Sequence, residues 1–356
     1  MKETLIVLDS FEYKETQYAL EASINDLCRP KFVYTKYENS VTERFQRMKF
    51  IGAFFTHITY WFLSLKFAFS ILKYRNVSSI IFINPIVGIF YSGITRLFHF
   101  KQSLTIAGFL FEKKKNRFYY YIRKKIVEYC FAKVKNIVVY GQDEIESYSD
   151  EFPSLKDKFR FILYGKDFHY KTIKEFHYPK RYIASGGRSN RKFETLCKAF
   201  SLFKLDIDNY DCLIATRPEC VTPDMKKTEV KFVYGIVLNQ FGEFIKGADF
   251  FVLPLRNIRL SAGHMVMMEA MSLKIPVIVT DIPAIRDYVN DTHVFFYKAD
   301  DAESLCETMK FVSKNRNNEI VKSKIVNAFN LYESKYSFKA LLRRLILVSI
   351  VNTNRF

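Results

Sequence analysis

The sequence predicts two doubly wound α/β domains, each built on a parallel sheet. Three observations carry that prediction. Short β-branched or aromatic runs alternate with longer helical patterns through both halves of the chain. The runs are continuously apolar, as in strands covered on both faces, and do not alternate in polarity. The length, 356 residues, is a little over two average domains, and the hydrophobic fraction of 49% is ample for two cores.

In chain order, the first-half strand candidates are Leu5–Leu8, Phe32–Thr35, Ile80–Ile83, Leu104–Ile106, Ile137–Tyr140 and Phe159–Leu163. Those of the second half are Tyr182–Ala184, Cys212–Ala215, Lys231–Tyr234, Phe250–Leu253, Val277–Thr280 and Val294–Tyr297. A polar stretch ending in proline, Asp167–Pro179, marks the junction. The expected division is 1–170, 171–335, and a terminal helix over 336–356 that packs back on the body. Phe50–Leu72 is 23 residues long with His57 and Lys66 as its only possible charges, enough to span a bilayer. Gly52, Thr56, Thr59 and Ser64 interrupt it, however, and it falls where the first domain needs a helix between two strands. A buried or membrane-docking helix is the expectation. Phe338–Val351 is apolar but too short to span.

Six scattered cysteines form no CxxC pair, and no histidine stands at metal-ligand spacing from them, so reduced, mostly buried thiols and no metal site are expected. Met1–Thr4 runs straight into a strand-like stretch, so no secretory signal is expected. The net charge of +18 is concentrated: residues 101–135 hold ten Lys/Arg against Glu112 and Glu128, a local +8. Lys113, Lys114, Lys115, Arg117, Arg123, Lys124 and Lys125 are interleaved there with Phe109, Leu110, Phe111, Phe118, Tyr119, Tyr120, Tyr121 and Ile122. Such a mixture suits an anionic membrane surface, with rings in the headgroup layer and cations on phosphates. Nucleic acid would attract the same charges, but no helix-turn-helix, zinc-finger or RNP pattern accompanies them, and no nucleic-acid partner is expected.

In the second half, Gly186-Gly187-Arg188-Ser189-Asn190-Arg191-Lys192 joins a strand to a helix. Glycines at such a turn let backbone approach a ligand, and the helix start supplies free N–H groups. Arg188 and Arg191 can bond a diphosphate, with Lys192 as a substitute for either. The strand Phe250–Leu253 ends at Pro254, and a polar loop then leads to Ala262-Gly263-His264 and a helix from about Met265 to Ser272. Glu269 lies in that helix among methionines, with no ion-pair partner nearby in sequence. Carboxylates are rarely so placed without a partner, and one carboxylate can accept both hydroxyls of a ribose diol.

These residues resemble the C-terminal domain of family 4 retaining glycosyltransferases, of the group-1 type used in bacterial surface polysaccharide synthesis. The counterparts are Gly187-Arg188 with Arg191, Ala248-Asp249…Pro254, and Glu269-Ala270-Met271…Ile275-Pro276-Val277-Ile278. Leu163-Tyr164-Gly165-Lys166-Asp167 resembles the element that enters the hinge. The resemblance implies a GT-B architecture, two Rossmann-like domains facing a cleft. It also implies a nucleoside diphosphate sugar as donor and a lipid-linked or polysaccharide acceptor. Donor contacts would come from Gly187, Arg188, Arg191, Lys192, Tyr234, Gly235, Ser261, Ala262, Gly263, His264, Met265 and Glu269. Catalysis would rest on Arg188, Arg191 and His264, with no cofactor and no metal required, because cations and helix amides neutralise the departing diphosphate. The expected location is cytoplasmic, peripherally on the inner face of the plasma membrane. The sequence departs from the family in three places. The first of two glutamates usually eight positions apart falls on Ser261, the family's glycine two residues before the helix core is replaced by His264, and no histidine stands near Ala107-Gly108. Ser261–His264 resembles a "SAGQ" variant of the loop. A catalytically inactive GT-B partner protein and a GT-B sugar-nucleotide epimerase are the alternatives.

Overall fold

The computed structural model describes residues 1–9, 12–35, 52–111, 116–168, 173–236, 238–258 and 260–350. The chain divides into two compact units, Met1–Ile162 with Leu341–Phe356, and Leu163–Ala340. Each contains one six-stranded sheet with parallel pairing throughout, so the doubly wound α/β class holds.

In the first unit β1 (Glu3–Leu8), β2 (Arg29–Tyr34), β3 (Ser79–Phe82), β4 (Ser103–Ile106), β5 (Asn136–Val139) and β6 (Phe159–Phe161) take the order β2-β1-β3-β4-β5-β6. All six coincide with runs read from the sequence. Leu5, Ile6, Val7, Ile80, Ile81 and Phe82 are wholly buried, which is why these strands carry no polar alternation. Among the described residues the helices are α1 (Gln17–Ala22), α2 (Gly52–Ile71), α3 (Pro85–Leu97), α4 (Arg117–Phe131) and α5 (Asp143–Glu151). The Asn84 carboxamide starts α3 by accepting from Ile86 N at 2.9 Å, with Pro85 in the first turn. Asn116 does the same for α4, accepting from Tyr119 N at 3.0 Å.

Within the apolar stretch read over Phe50–Leu72, Gly52–Ile71 form α2, and no described helix is long and apolar enough to cross a membrane. A final helix, α12 (Phe338–Ile350), packs on the first sheet. Asn136 Nδ2 donates to Val348 O at 3.0 Å, and Arg343 pairs with Asp26 at 2.9 Å.

The second unit contains β7 (Tyr182–Gly186), β8 (Asp211–Ala215), β9 (Lys231–Val233), β10 (Phe250–Leu253), β11 (Val277–Thr280) and β12 (Phe295–Tyr297), again the predicted runs. Their order is β12-β11-β10-β7-β8-β9. Between them lie α6 (Phe193–Lys204), α7 (Leu238–Lys246), α8 (His264–Ser272), α9 (Pro283–Arg286), α10 (Ala302–Lys314) and α11 (Glu319–Lys335). On one face Phe193, Leu196, Phe200 and Phe203 of α6, with Leu305 and Met309 of α10, pack onto Ile183, Ile214, Phe250 and Val252. The chain enters at β7, runs outward through β8 to β9, then returns to lay β10 on the other side of β7. Strand order therefore reverses between β7 and β10, and open α/β sheets bind ligands outside the carboxyl ends of strands at such a point.

Candidate functional site

The reversal point carries the glycine turn. Gly187 follows β7 with φ +115°, a region open to glycine and strained for other residues. A second constraint coincides with it, because an added Cβ would collide with the Nη2 and Nε atoms of Arg191. That guanidinium is folded back into its own turn. Its Nε donates to Gly186 O at 2.9 Å and Nη1 to Ser189 O at 2.7 Å. The backbone of the turn is tied to the segment after β10, with Lys192 N donating to Pro254 O at 3.0 Å and Arg256 N to Asn190 O at 3.1 Å.

Burial lowers the Arg191 pKa to about 10, so the group stays cationic at neutral pH. Among the described residues no carboxylate pairs with it. A buried cation satisfied only by carbonyl oxygens keeps its positive potential for an anion. The other two cations of the motif are placed differently. Arg188 is exposed and, among the described residues, has no carboxylate partner. Lys192, expected to stand in for either arginine, is instead paired with Asp300 at 3.0 Å. That pairing spans the distance from the glycine turn to the start of α10, and local sequence gives no sign of it.

The loop after β10 ends at Gly263, whose φ of +83° makes the first turn of α8 possible. Leu253 and Leu255 pack directly beneath it. Ser261, Ala262 and Gly263 are half-buried and Met265 is exposed. The leading amides of α8 have no acceptor within the helix and carry its positive end.

His264 occupies the first helical position. Its Nε2 lies 2.9 Å from Ala284 O, and its ring stacks on Tyr288 with centroids 4.0 Å apart. Burial pushes its pKa down to about 4, against the pull of the Ala284 bond and with the nearby Arg191 charge adding to the fall. The sequence reading gave His264 a catalytic role. In the structure its Nε2 is engaged by the Ala284 carbonyl, a contact that ties the loop to α9.

Glu269 lies one and a half turns further along α8. It is 5% exposed, and its Oε1 is buried with no hydrogen-bond partner among the described residues. Gly242 of α7 faces it, and a Cβ there would stand 3.3 Å from Oε1. Burial raises the pKa to about 7, with the charge of Lys166 pulling the other way. An orphaned buried carboxylate costs on the order of 1–3 kcal/mol, and the cost is recovered when a ligand donates to it. Lys166 was legible only as part of the hinge element. Its electrostatic influence on Glu269 is a product of the fold. Tyr234 and Gly235 follow β9 at the edge of the sheet, Tyr234 exposed and Gly235 with φ +78°.

Asp249, the aspartate of the family-like strand motif, lies at the opposite end of β10. Arg181 Nη2 pairs with it at 2.7 Å, Arg316 is a second partner, and the Arg181 guanidinium also bonds the Tyr210 hydroxyl.

The basic segment is divided by the fold. Lys113, Lys114 and Lys115 lie outside the described residues. Phe109 and Phe111, read as part of a membrane surface, are buried in a ring cluster with Tyr148, Phe152 and Phe159. On α4, Phe118, Tyr119, Tyr121, Ile122 and Tyr129 are exposed. Arg117 is exposed, Arg123 stacks over Phe111, Lys124 pairs with Glu151 and Lys125 with Glu128.

Residues 179–315 match the family model described as Glycosyl transferases group 1, which bears out the resemblance read from the sequence for the second unit. No curated protein matches the chain by sequence. Among solved structures, a glycosyltransferase from Rickettsia africae ESF-5 superposes with a TM-score of 0.63 at 14% identity, covering 99% of this chain and 100% of the other. Sucrose-phosphate synthase from Thermosynechococcus elongatus gives 0.62 at 13% identity, over 98% and 97%. Anabaena Alr3699/HepE in complex with UDP-glucose gives 0.61 at 10% identity, over 98% of each chain. The fold is that of GT-B glycosyltransferases across both units.

Proposed function

We propose that the protein is a glycosyltransferase that moves a sugar from a nucleoside diphosphate sugar to a lipid-linked or polysaccharide acceptor, with retention at the anomeric carbon. The observation that carries this reading is Glu269, a carboxylate buried at a strand-order reversal with one oxygen left without a partner. A ribose diol supplies the donor that Oε1 lacks. Arg191 and the leading amides of α8 would neutralise the diphosphate as it departs, with Arg188 closing from solvent, so no metal is required. The UDP-glucose held by Alr3699/HepE, a structure of the same fold, supports a nucleotide sugar as donor. The exposed rings and cations of α4 support an anionic membrane surface, which would hold the protein peripherally at the cytoplasmic face beside its acceptor.

Thermal shift with a panel of nucleoside diphosphate sugars, followed by donor hydrolysis and product anomer assignment by NMR, tests the reading. Stabilisation by one donor and its slow hydrolysis are expected. A panel with no stabilising member would overturn it. One observation favours a rival, a non-catalytic protein of the same fold: Ser261 stands where the family carries a carboxylate. Nucleotide binding without hydrolysis or transfer to any acceptor would decide for that rival.

A further inference from the structure

The helices α2, α3 and α4 lie side by side, α2 against α3 and α3 against α4. Their strand connections all advance in one direction across the sheet, and right-handed crossovers put all three on the same face. The middle helix is enclosed by its neighbours, so the outer surface of this layer belongs largely to α2 and α4. The two helices present different chemistry.

Helix α2 buries Ser64, Ala68 and Ile71 against the body. At 3.6 residues per turn, Ile58, Phe62 and Phe69 fall within an arc of ~40° on the opposite side of the helix. They are 49%, 67% and 54% exposed. An amphipathic surface helix would carry charge there, and α2 carries aromatic and branched apolar side chains, with Lys66 at the border of the stripe. Leu97 and Phe98, at the end of α3, are also exposed and apolar. Monomeric soluble proteins rarely present contiguous apolar surface of this kind without an occupant.

Helix α4 shows what the occupant is. Its exposed face alternates Phe118, Tyr121, Ile122 and Tyr129 with Arg117 and Lys125, and Arg96 of α3 stacks over Tyr129 with its guanidinium 4.0 Å from the ring centroid. Cations with interfacial aromatics on one helix, and an apolar stripe bordered by Lys66 on a helix two positions away in the same layer, match the two depths of an anionic bilayer. A protein partner would be matched by acidic groups against α4 and apolar groups against α2. The chain's net charge of +18 favours the anionic lipid.

We propose that α2 is an in-plane insertion element: Ile58, Phe62 and Phe69 enter the acyl layer of an anionic membrane while α4 contacts its headgroups. The inference rests on the bilayer contact proposed above and adds a depth to it. Adsorption by charge alone would leave α2 in water, whereas insertion removes it. The helix lies along the surface, since no described helix is long and apolar enough to cross.

The protein carries its own reporter. Trp61, the single tryptophan of the chain, is on α2, 39% exposed, with its ring edge-on to Phe90 of α3 at 5.7 Å. Full-length protein is titrated with phosphatidylglycerol-containing vesicles whose acyl chains carry bromine at defined depths. Trp61 emission is read together with vesicle flotation. Expected are a blue shift, quenching greatest for bromines near the headgroup end of the acyl chains, and little change with neutral vesicles. Flotation without quenching at any acyl depth overturns insertion but leaves the α4 contact standing, and no flotation overturns both. The variants Phe62→Ser and Phe69→Ser, both at exposed positions, should lower quenching several-fold while flotation on strongly anionic vesicles persists. Arg117→Glu with Lys125→Glu should weaken flotation first. Sedimentation of the free protein supplies a further check. Self-association that Phe62→Ser abolishes would assign the stripe to a second copy of the chain and overturn the proposal.

Discussion

Asp249 and Glu269 are both buried carboxylates of the second unit, 8% and 5% exposed, yet the fold treats them in opposite ways. Asp249 is enclosed by Arg181 and Arg316, and its charge is matched within the protein. Glu269 meets a glycine, a methionine-rich helix and the distant influence of Lys166. The first sits at the amino end of β10 and ties β7 to the segment after α10. The second sits beyond its carboxyl end, where a parallel sheet admits ligands. A matched buried charge serves the fold, and an unmatched one is available to something outside it.

Replacing each residue in turn would break or sharpen that contrast. Glu269→Ala should weaken nucleotide binding by about 100-fold, the worth of two charge-assisted hydrogen bonds, without loss of fold stability. Isothermal titration of both proteins reads this directly, and an unaltered affinity would remove Glu269 from the site. Asp249→Asn should do the reverse, costing about 2–3 kcal/mol in urea unfolding with nucleotide affinity retained, because its arginines lose a charged partner. Gly187→Ala should destabilise by about 1–3 kcal/mol, since it combines a strained φ with displacement of the Arg191 guanidinium. Its nucleotide affinity should fall as well, unlike that of Asp249→Asn.

The smallest effect is one of pH. The folded-state pKa of Glu269, about 7, lies above its ordinary value, so the native protein holds this proton more tightly than the unfolded chain. The stability that follows is present below about pH 4.5 and is lost as pH rises through 7. Glu269→Gln should therefore be more stable than the parent at pH 8, by about 1–2 kcal/mol, and nearly equal to it at pH 5. His264 works in the other direction. Its pKa is lowered to about 4, so its contribution is lost as pH falls from about 6.5 toward 4. Parallel urea titrations of the parent and Glu269→Gln between pH 5 and 8 separate the two. Nucleotide affinity in the parent should decline below pH 7, where Glu269 takes up the proton that blocks acceptance from a diol.

The central strands were legible because they are covered on both faces, and a continuous run such as Ile80–Phe82 or Phe250–Leu253 has few other uses. The edge strand β2, half exposed, begins at Arg29, three residues before the apolar run that marks it. Glu269 was legible for a related reason, since a carboxylate among Met265, Met267, Met268 and Met271 contradicts its surroundings. What sequence could not give was the direction of long side chains. Arg188 and Arg191 are three residues apart and chemically identical, yet one faces solvent and the other bends back onto Gly186 O. Lys192 finds Asp300, and Asp249 finds Arg316, across stretches of chain that no local pattern links. The same limit applies to Phe109 and Phe111, which share a composition with Phe118 and Tyr121 but point inward.

Helix α12 has a consequence for how the protein is made. Leu341–Ile350 belong to the first unit, and Val348 O accepts from the side chain of Asn136, which is 3% exposed at the start of β5. A ribosome reaches those residues only after finishing all of Leu163–Ala340. Domains tend to fold in the order in which they emerge. Here the earlier-made unit lacks a covering segment until the later one is complete, so translation order and folding order differ. A nascent chain stalled before α12 would leave the Asn136 side chain uncovered, and release of that hold would wait for the synthesis of α12.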